Sequence, residues 1–144
     1  MNEAKLERII RVARLTLGAV WLYQGIVPKW LAQGAFELDI VERSGLYLVS
    51  PEWMLAAVGI PETLFGVWIL SGWQPRWAVA GATLCMLILQ GMVVWVQPDL
   101  LIGPFGGLTK NWGLVALAWI VWVGAGPDDP LPSRRQGNLV DPTV

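Results

Sequence analysis

Four long apolar segments, separated by short stretches rich in glycine, proline and tryptophan, dominate the chain. Their pattern predicts helices over residues 9–27, 53–70, 77–96 and 108–125. Helices commonly end beside glycine or proline. Such residues follow the four segments at Pro28, Gly72, Pro98 and Gly126. Segments of about 20 apolar residues are long enough to cross the hydrocarbon core of a bilayer.

The fourth segment is the shortest of the four. Its apolar stretch from Trp112 to Val123 would span only ~18 Å as a helix, against a core of ~30 Å. Residues 100–108 are therefore expected to complete the crossing as a non-helical or re-entrant lead-in. A lead-in of that kind is stable only where its backbone packs against protein.

Composition agrees with this pattern. The 144 residues are 55% hydrophobic and only 15% charged, and the mean hydropathy is +0.52, as in a polytopic membrane protein. We predict an all-α fold, a bundle of four transmembrane helices with a short extracytoplasmic segment between helices one and two. Residues 1–126 would form the transmembrane domain. The polar, proline-rich residues 127–144 would form a disordered cytoplasmic tail.

Several kinds of chemistry are excluded by residue content. The net charge of −1 gives no field that would attract nucleic acid. The chain has no histidine and a single cysteine, Cys85, so it offers no histidine ligand and no Cys-x-x-Cys pair. No metal site is expected, and Cys85 is interpreted as an inert core thiol.

Basic residues between the segments predict the orientation, because cytoplasmic flanks carry the excess of Lys and Arg. One side would hold Lys5, Arg8, Arg11, Arg14, Arg76, Arg134 and Arg135. The other would hold Lys29, Arg43 and Lys110. This asymmetry predicts that both termini lie in the cytoplasm and that the chain crosses the plasma membrane several times.

Two stretches near the N-terminus allow alternatives. The arginines before residue 15 fit a basic collar whose side chains snorkel to the interface. They also fit a signal peptide, which Gln24, Pro28 and Lys29 disfavour by interrupting its apolar region. Residues 31–50 are too polar to span. They fit either a short helix on the outer surface or a loop folded over the mouth of the bundle.

Glu62 is the one acidic residue within the second apolar segment, 53–70. A charged side chain at membrane depth is costly and by default marks a functional site. Pro61 precedes it and cannot donate to the carbonyl of Ala57, which predicts a kink. Gly59 and Gly66 share a helix face with Glu62, and small residues let another helix approach closely. Glu62 is therefore expected to face the bundle interior, either as a neutral acid or paired with a lysine.

Other polar side chains recur along the neighbouring segments. On the third they repeat every seven residues, at Thr83, Gln90 and Gln97; on the first they lie at Thr16, Tyr23 and Trp30, with Gln24 beside them. They are expected to gather with Glu62 toward the outer side of the membrane. They would form either a binding site or ordinary hydrogen bonds between helices. Lys29 and Lys110 are interpreted as interface anchors.

The order of several short motifs resembles the DoxX-like family of small bacterial membrane proteins. The motifs are residues 21–29 (WLYQGIVPK), Glu37, 44–46 (SGL), 61–66 (PETLFG), 104–107 (PFGG) and 110–111 (KN). The resemblance covers roughly residues 14–123 and implies a four-helix inner-membrane protein associated with redox partners and quinone-linked metabolism. It suggests as candidate site positions Gln24, Lys29, Glu37, Glu62, Lys110 and Asn111. Gln90 joins them from the helical spacing.

Three functions are consistent with these features. The first is an accessory or anchoring subunit of a larger membrane assembly, with a redox-linked assembly as one option. Such a subunit does no chemistry itself, so the isolated chain is not expected to be an enzyme. The second is a quinone- or lipid-binding oxidoreductase subunit, in which Glu62, Gln24 and Gln90 bind a head group. The third is a small-solute or proton-linked transporter that uses Glu62. Expected partners are membrane lipid and other membrane subunits or further copies of the chain. No cofactor is intrinsic to the chain, and quinone is the one candidate.

Overall fold

A computed structural model of the chain describes residues 2–101 and 107–125. Within these residues it holds five α-helices and no strand. The helices are α1 (Glu3–Ile26), α2 (Ala35–Ser44), α3 (Pro51–Ser71), α4 (Pro75–Val96) and α5 (Gly107–Gly124). A π-helical turn, Val27–Leu31, continues α1, and a 3-10 turn, Pro98–Leu101, follows α4. The predicted tail and residues 102–106, which hold most of the predicted lead-in 100–108 and part of the PFGG motif, lie outside the described residues.

The helix ends follow local sequence. Asn2 caps α1, because its side chain accepts a hydrogen bond from the backbone of Ala4 at 3.3 Å. Proline occupies the first position of both α3 and α4, where its missing N–H costs nothing. Gly45 and Gly72 end α2 and α3 with φ of 64° and 72°, a left-handed conformation that favours glycine.

The predicted helices are present with altered bounds. The first starts at Glu3 rather than residue 9, so the basic collar is helical. The polar stretch 31–50 contains the helix α2, which agrees with the first of its two interpretations, a short helix. The fourth, α5, begins at Gly107 and has 18 residues, about 27 Å. Pro61 lies inside a continuous α3.

The four long helices alternate in direction. Arg14, midway along α1, meets the end of α3, and Arg76 at the start of α4 meets the end of α5. One end of the bundle, here the N-terminal end, therefore gathers the N-terminal half of α1, the α3–α4 turn and the end of α5. The opposite end, here the α2 end, carries α2 and the π-helical turn. A core between the long helices is formed by Ala13, Leu17, Trp21, Ile69, Ala78, Val79, Ala82, Met86, Ala118 and Val121.

Helix α1 packs chiefly against α3, and glycines permit the contact. A Cβ atom at Gly66 would lie 2.7 Å from the backbone nitrogen of Leu22. A Cβ at Gly59 would lie 2.6 Å from the carbonyl oxygen of Gly25. Gly59, Glu62 and Gly66 are all buried on this face, as their spacing predicts. The two backbones therefore touch where larger residues would separate them.

Two buried or half-buried arginines close the N-terminal end of the bundle. Arg14 is only 9% exposed and donates to the carbonyls of Ile69 and Leu70 at 3.3 and 3.0 Å. Arg76 donates to the carbonyl of Trp122 at 3.1 Å and lies over its ring. Each satisfies carbonyls at a helix C-terminus and complements the helix dipole. The interpretation of Arg14 as a snorkelling collar residue is therefore wrong.

Two helices, α3 and α4, are long and apolar enough to cross a membrane by length and composition alone. Their outward faces expose large apolar side chains, among them Leu64, Val67, Leu84, Leu87 and Ile88. Tryptophans near the ends of the long helices are exposed as well: Trp30, Trp53, Trp73, Trp77, Trp95 and Trp112. This distribution is typical of helices that meet lipid with aromatic side chains near the interfaces.

Alanine at Gly59 or at Gly66 should destabilise the protein. Its Cβ would push against the backbone of α1, and overpacking of this kind costs about 1–3 kcal/mol. The matched control is Gly91→Ala on α4, where nothing lies within 4 Å of the added Cβ. The control should be neutral or stabilised by up to ~1 kcal/mol through helix propensity. Unfolding of the three variants in mild detergent measures the difference. Equal stability of all three would show that the α1–α3 contact is not close.

Candidate functional site

The turn after α1 directs a lysine into the protein. Pro28 has no N–H, so the carbonyl of Gln24 lacks its usual donor four residues on. The chain widens there into the π-helical turn, closed by a hydrogen bond of 2.8 Å from the Ala32 N–H to the Val27 carbonyl. The Nζ of Lys29 lies 3.4 Å from this carbonyl and donates to it. Pro28 thus both opens the helix and leaves an acceptor for the lysine that follows.

Lys29 reaches Glu62 across the α1–α3 contact. Its Nζ lies 2.9 Å from Oε2 of Glu62, and the two side chains are 9% and 7% exposed. Glu62 is 11 residues from the start of α3 and nine from its end, or ~17 and ~14 Å along the axis. The ion pair is therefore near the middle of a helix long enough to span a bilayer. Because Lys29 is buried, its interpretation as an interface anchor is wrong.

A second carboxylate approaches the same lysine from α2. Oε1 of Glu37 lies 3.5 Å from Nζ of Lys29, and the Glu37 side chain is 26% exposed. Lys29, Glu62 and Glu37 thus form a charged cluster, the Lys29 cluster, built from three different elements. Its two acids differ in exposure. Glu62 is in the interior, and Glu37 extends toward the α2 end of the bundle.

The hydrogen bonding of the cluster is incomplete. Within residues 2–101 and 107–125, no aligned hydrogen bond reaches the buried Oε2 atoms of Glu62 and Glu37. The Lys29–Glu62 contact is an ion pair by its 2.9 Å distance. With all three groups ionised the cluster carries a net charge of −1. Removing one member of such a pair is costly, because the other charge is left buried.

The remaining candidate residues do not join this cluster. The Gln24 side chain is exposed, and only its backbone carbonyl contacts Lys29. Gln90 on α4 accepts a hydrogen bond from the Asn111 side chain on α5, and neither amide contacts the cluster. Lys110 is exposed. The structure therefore places three of the seven candidates in the Lys29 cluster and two in an amide pair, and leaves the Gln24 side chain and Lys110 exposed.

The polar stripe predicted on the first helix is wrong. Thr16, Tyr23 and Trp30 are all exposed, while the buried face of α1 carries Ala13, Arg14, Leu17, Gly18, Trp21 and Gly25. A seven-residue repeat alone does not tell which face of a helix is inside. The buried face of α1 is marked instead by glycines and apolar residues three and four positions apart. Arg14 lies at that spacing and is buried with them.

A polar contact that the sequence analysis missed ties α2 to α4. The Gln97 amide donates to Oδ2 of Asp39 at 2.7 Å, and Arg43 donates to the other carboxylate oxygen at 2.8 Å. The Arg43 guanidinium, helped by Gln97, holds the pKa of Asp39 below its ordinary value. The spacing of Asp39 and Arg43, four residues apart on a helix, could have indicated half of this contact. Its partner on α4 is distant in sequence.

Comparison with known proteins identifies the family. The sequence profile of the DoxX-like family matches residues 18–119, most of the chain. The chain belongs to the DoxX-like family. No curated protein and no solved structure matches it. The family indicates a membrane protein, in agreement with the two apolar helices α3 and α4. The matched range includes all three members of the Lys29 cluster.

A double-mutant cycle tests the Lys29 cluster. Lys29→Met leaves two carboxylates without their cation and should destabilise the protein by roughly 3–5 kcal/mol. Glu62→Leu should cost less, because Lys29 keeps Glu37 as a partner. In the Lys29→Met/Glu62→Leu variant, most of the loss should be recovered, since only the more exposed Glu37 remains without a cation. Unfolding in mild detergent gives the coupling free energy. Strictly additive effects would mean that the two side chains do not interact.

Lys110→Met is the matched control for the lysine. It removes the same charge from an exposed position, so its effect should stay within about 0.5 kcal/mol. A loss as large as that of Lys29→Met would indicate a general effect of net charge rather than the loss of a buried ion pair.

Proposed function

We propose that this DoxX-like protein is a four-span protein of the bacterial plasma membrane. It would serve as an accessory subunit of a larger membrane assembly and do no chemistry of its own. The observation that carries the proposal is the Lys29 cluster, in which the chain's own lysine neutralises the acid at mid-helix. An acid neutralised in this way holds α1, α2 and α3 together, and the chain lacks histidine and paired thiols for redox work.

Four spans are supported by the length and direction of the helices. α1 has 24 residues and α5 has 18, about 36 and 27 Å, and each lies along helices that are apolar enough to span. The buried positions of Arg14 in α1 and Lys29 in the π-helical turn remove two charged groups from the lipid-facing surface. α2 would then lie outside the membrane, on the side opposite the N-terminal end of the bundle.

Native mass spectrometry of the protein, extracted from its own membrane in mild detergent, tests the accessory role. We expect a stoichiometric complex with at least one other membrane subunit. The Lys29→Met/Glu62→Leu variant should keep that partner, because the cluster only holds the helices of this chain together and does not contact the partner. Recovery of the chain alone or only as a homo-oligomer would contradict the accessory role.

One observation favours a second candidate, proton-linked transport. Lys29 links the buried Glu62 to the more exposed Glu37, and together they form a chain of ionisable groups from the interior toward one surface. In vesicles that contain the purified protein and a pH-sensitive dye, this function would give proton flux that Glu62→Gln abolishes. Flux absent from the parent protein would remove this candidate and leave the accessory role.

A quinone-binding role has less geometric support. Its proposed ligands Gln24, Gln90 and Glu62 do not converge, since Gln24 is exposed and Gln90 pairs with Asn111. Quinone would therefore need a site built from other groups. A quinone retained in the native complex and lost on Asn111→Leu would restore this candidate.

The membrane orientation can be tested separately. The N-terminal end carries Lys5, Arg8, Arg11 and Arg76, and an excess of basic residues marks the cytoplasmic side. A fluorescent protein fused to residue 144 should therefore fluoresce, and a phosphatase active only in the periplasm should stay inactive there. The same phosphatase inserted after Gly45, at the α2 end, should be active. The reverse pattern would invert the orientation.

A further inference from the structure

The connection between α2 and α3 contains four consecutive apolar residues that face outward. These residues, Leu46, Tyr47, Leu48 and Val49, are here named the apolar loop. Leu48 is 102% exposed, Val49 74%, Leu46 62% and Tyr47 40%. A contiguous run of exposed apolar side chains is uncommon in a protein surrounded by water and marks a surface that meets something apolar.

The start of the loop is ordered by local hydrogen bonds. The Ser44 hydroxyl donates to the Val41 carbonyl at 2.7 Å and accepts from the Leu46 N–H at 3.2 Å. Gly45 ends α2 in the left-handed conformation. The chain therefore leaves α2 along a set direction, and the exposed side chains follow from this turn. A loop folded over the mouth of the bundle, one of the two expectations for residues 31–50, would bury these side chains instead.

The depth of the loop is limited from both sides. The loop lies directly before α3, which begins at Pro51 and exposes Trp53 by 69%, so it lies beside a helix entering the bilayer. Its backbone is not helical, and unpaired N–H and C=O groups are not tolerated in contact with hydrocarbon. The headgroup region satisfies both limits, because it offers hydrogen bonds to the backbone and apolar contact to the side chains. Tyrosine is enriched at that depth.

From these observations we propose that the apolar loop is a membrane-interface anchor, seated in the lipid headgroup region of the leaflet at the α2 end. It would hold α2 against the membrane surface, with Glu37 directed toward the Lys29–Glu62 pair. This inference rests on the proposed membrane span of α3. It gives the connection between α1 and α3 a membrane contact of its own.

Depth-dependent fluorescence quenching tests the anchor. Starting from a Cys85→Ala variant, single cysteines are placed at Leu48, at Ile88 and at Glu42, and each is labelled with the environment-sensitive dye NBD. The proteins are reconstituted into phosphatidylcholine–phosphatidylglycerol vesicles that carry a nitroxide either near the headgroups or deep in the acyl chains. The dye at Leu48 should show blue-shifted emission and lose most of its fluorescence to the shallow nitroxide, and little to the deep one.

The other two positions separate the possible failures. Ile88, exposed on α4, should be quenched chiefly by the deep nitroxide. Glu42, exposed on α2, should be quenched by iodide in the water. If Ile88 escapes both nitroxides, the membrane span itself is wrong. If Ile88 behaves as expected but Leu48 is quenched by iodide, the loop is in water and the anchor is wrong. Leu48 shielded from iodide and from both nitroxides would place it under another protein chain, which also overturns the anchor.

Discussion

Helices α1 and α3 approach each other where glycines replace larger side chains, and the Lys29–Glu62 ion pair depends on that approach. With backbone atoms in contact at Gly25 and Gly59, a lysine just beyond the end of α1 is close enough to reach the middle of α3. A wider separation would leave Glu62 without its cation. An uncompensated charge in the interior costs several kcal/mol, so packing and electrostatics are coupled at this single interface.

Proline contributes to the same interface in an unexpected way. Pro28 removes one backbone donor and Pro61 another, yet neither ends its helix abruptly. At Pro28 the freed carbonyl of Gln24 accepts from Lys29. Pro28 thus interrupts the helical hydrogen bonding and leaves the Gln24 carbonyl available to the buried Lys29. π-helical turns of this kind recur at functional sites.

The two ends of the bundle are closed by different means. At the N-terminal end, Arg14 and Arg76 donate to carbonyls at the ends of α3 and α5. At the α2 end, Asp39 joins α2 to Gln97 at the end of α4. Arginines therefore bind the carbonyls of helix termini at one end. At the other end the contacts are made by carboxylates, a lysine and an amide. The end closed by arginines is also the end that carries the excess of basic residues, on which the predicted orientation rests.

The sequence by itself determined the helices, the membrane character and the family, because apolar length and Gly/Pro punctuation act locally. It also indicated that Glu62 faces inward, since Gly59 and Gly66 share its face. It left Glu62 open between a neutral acid and an ion pair with a lysine, assigned Arg14 to a snorkelling collar, and did not indicate the contact of Asp39. These choices depend on contacts between residues more than 30 positions apart, such as 29 with 62 and 39 with 97. Only the tertiary structure decided them, because the rotation of each helix about its axis is set by close packing with its neighbours.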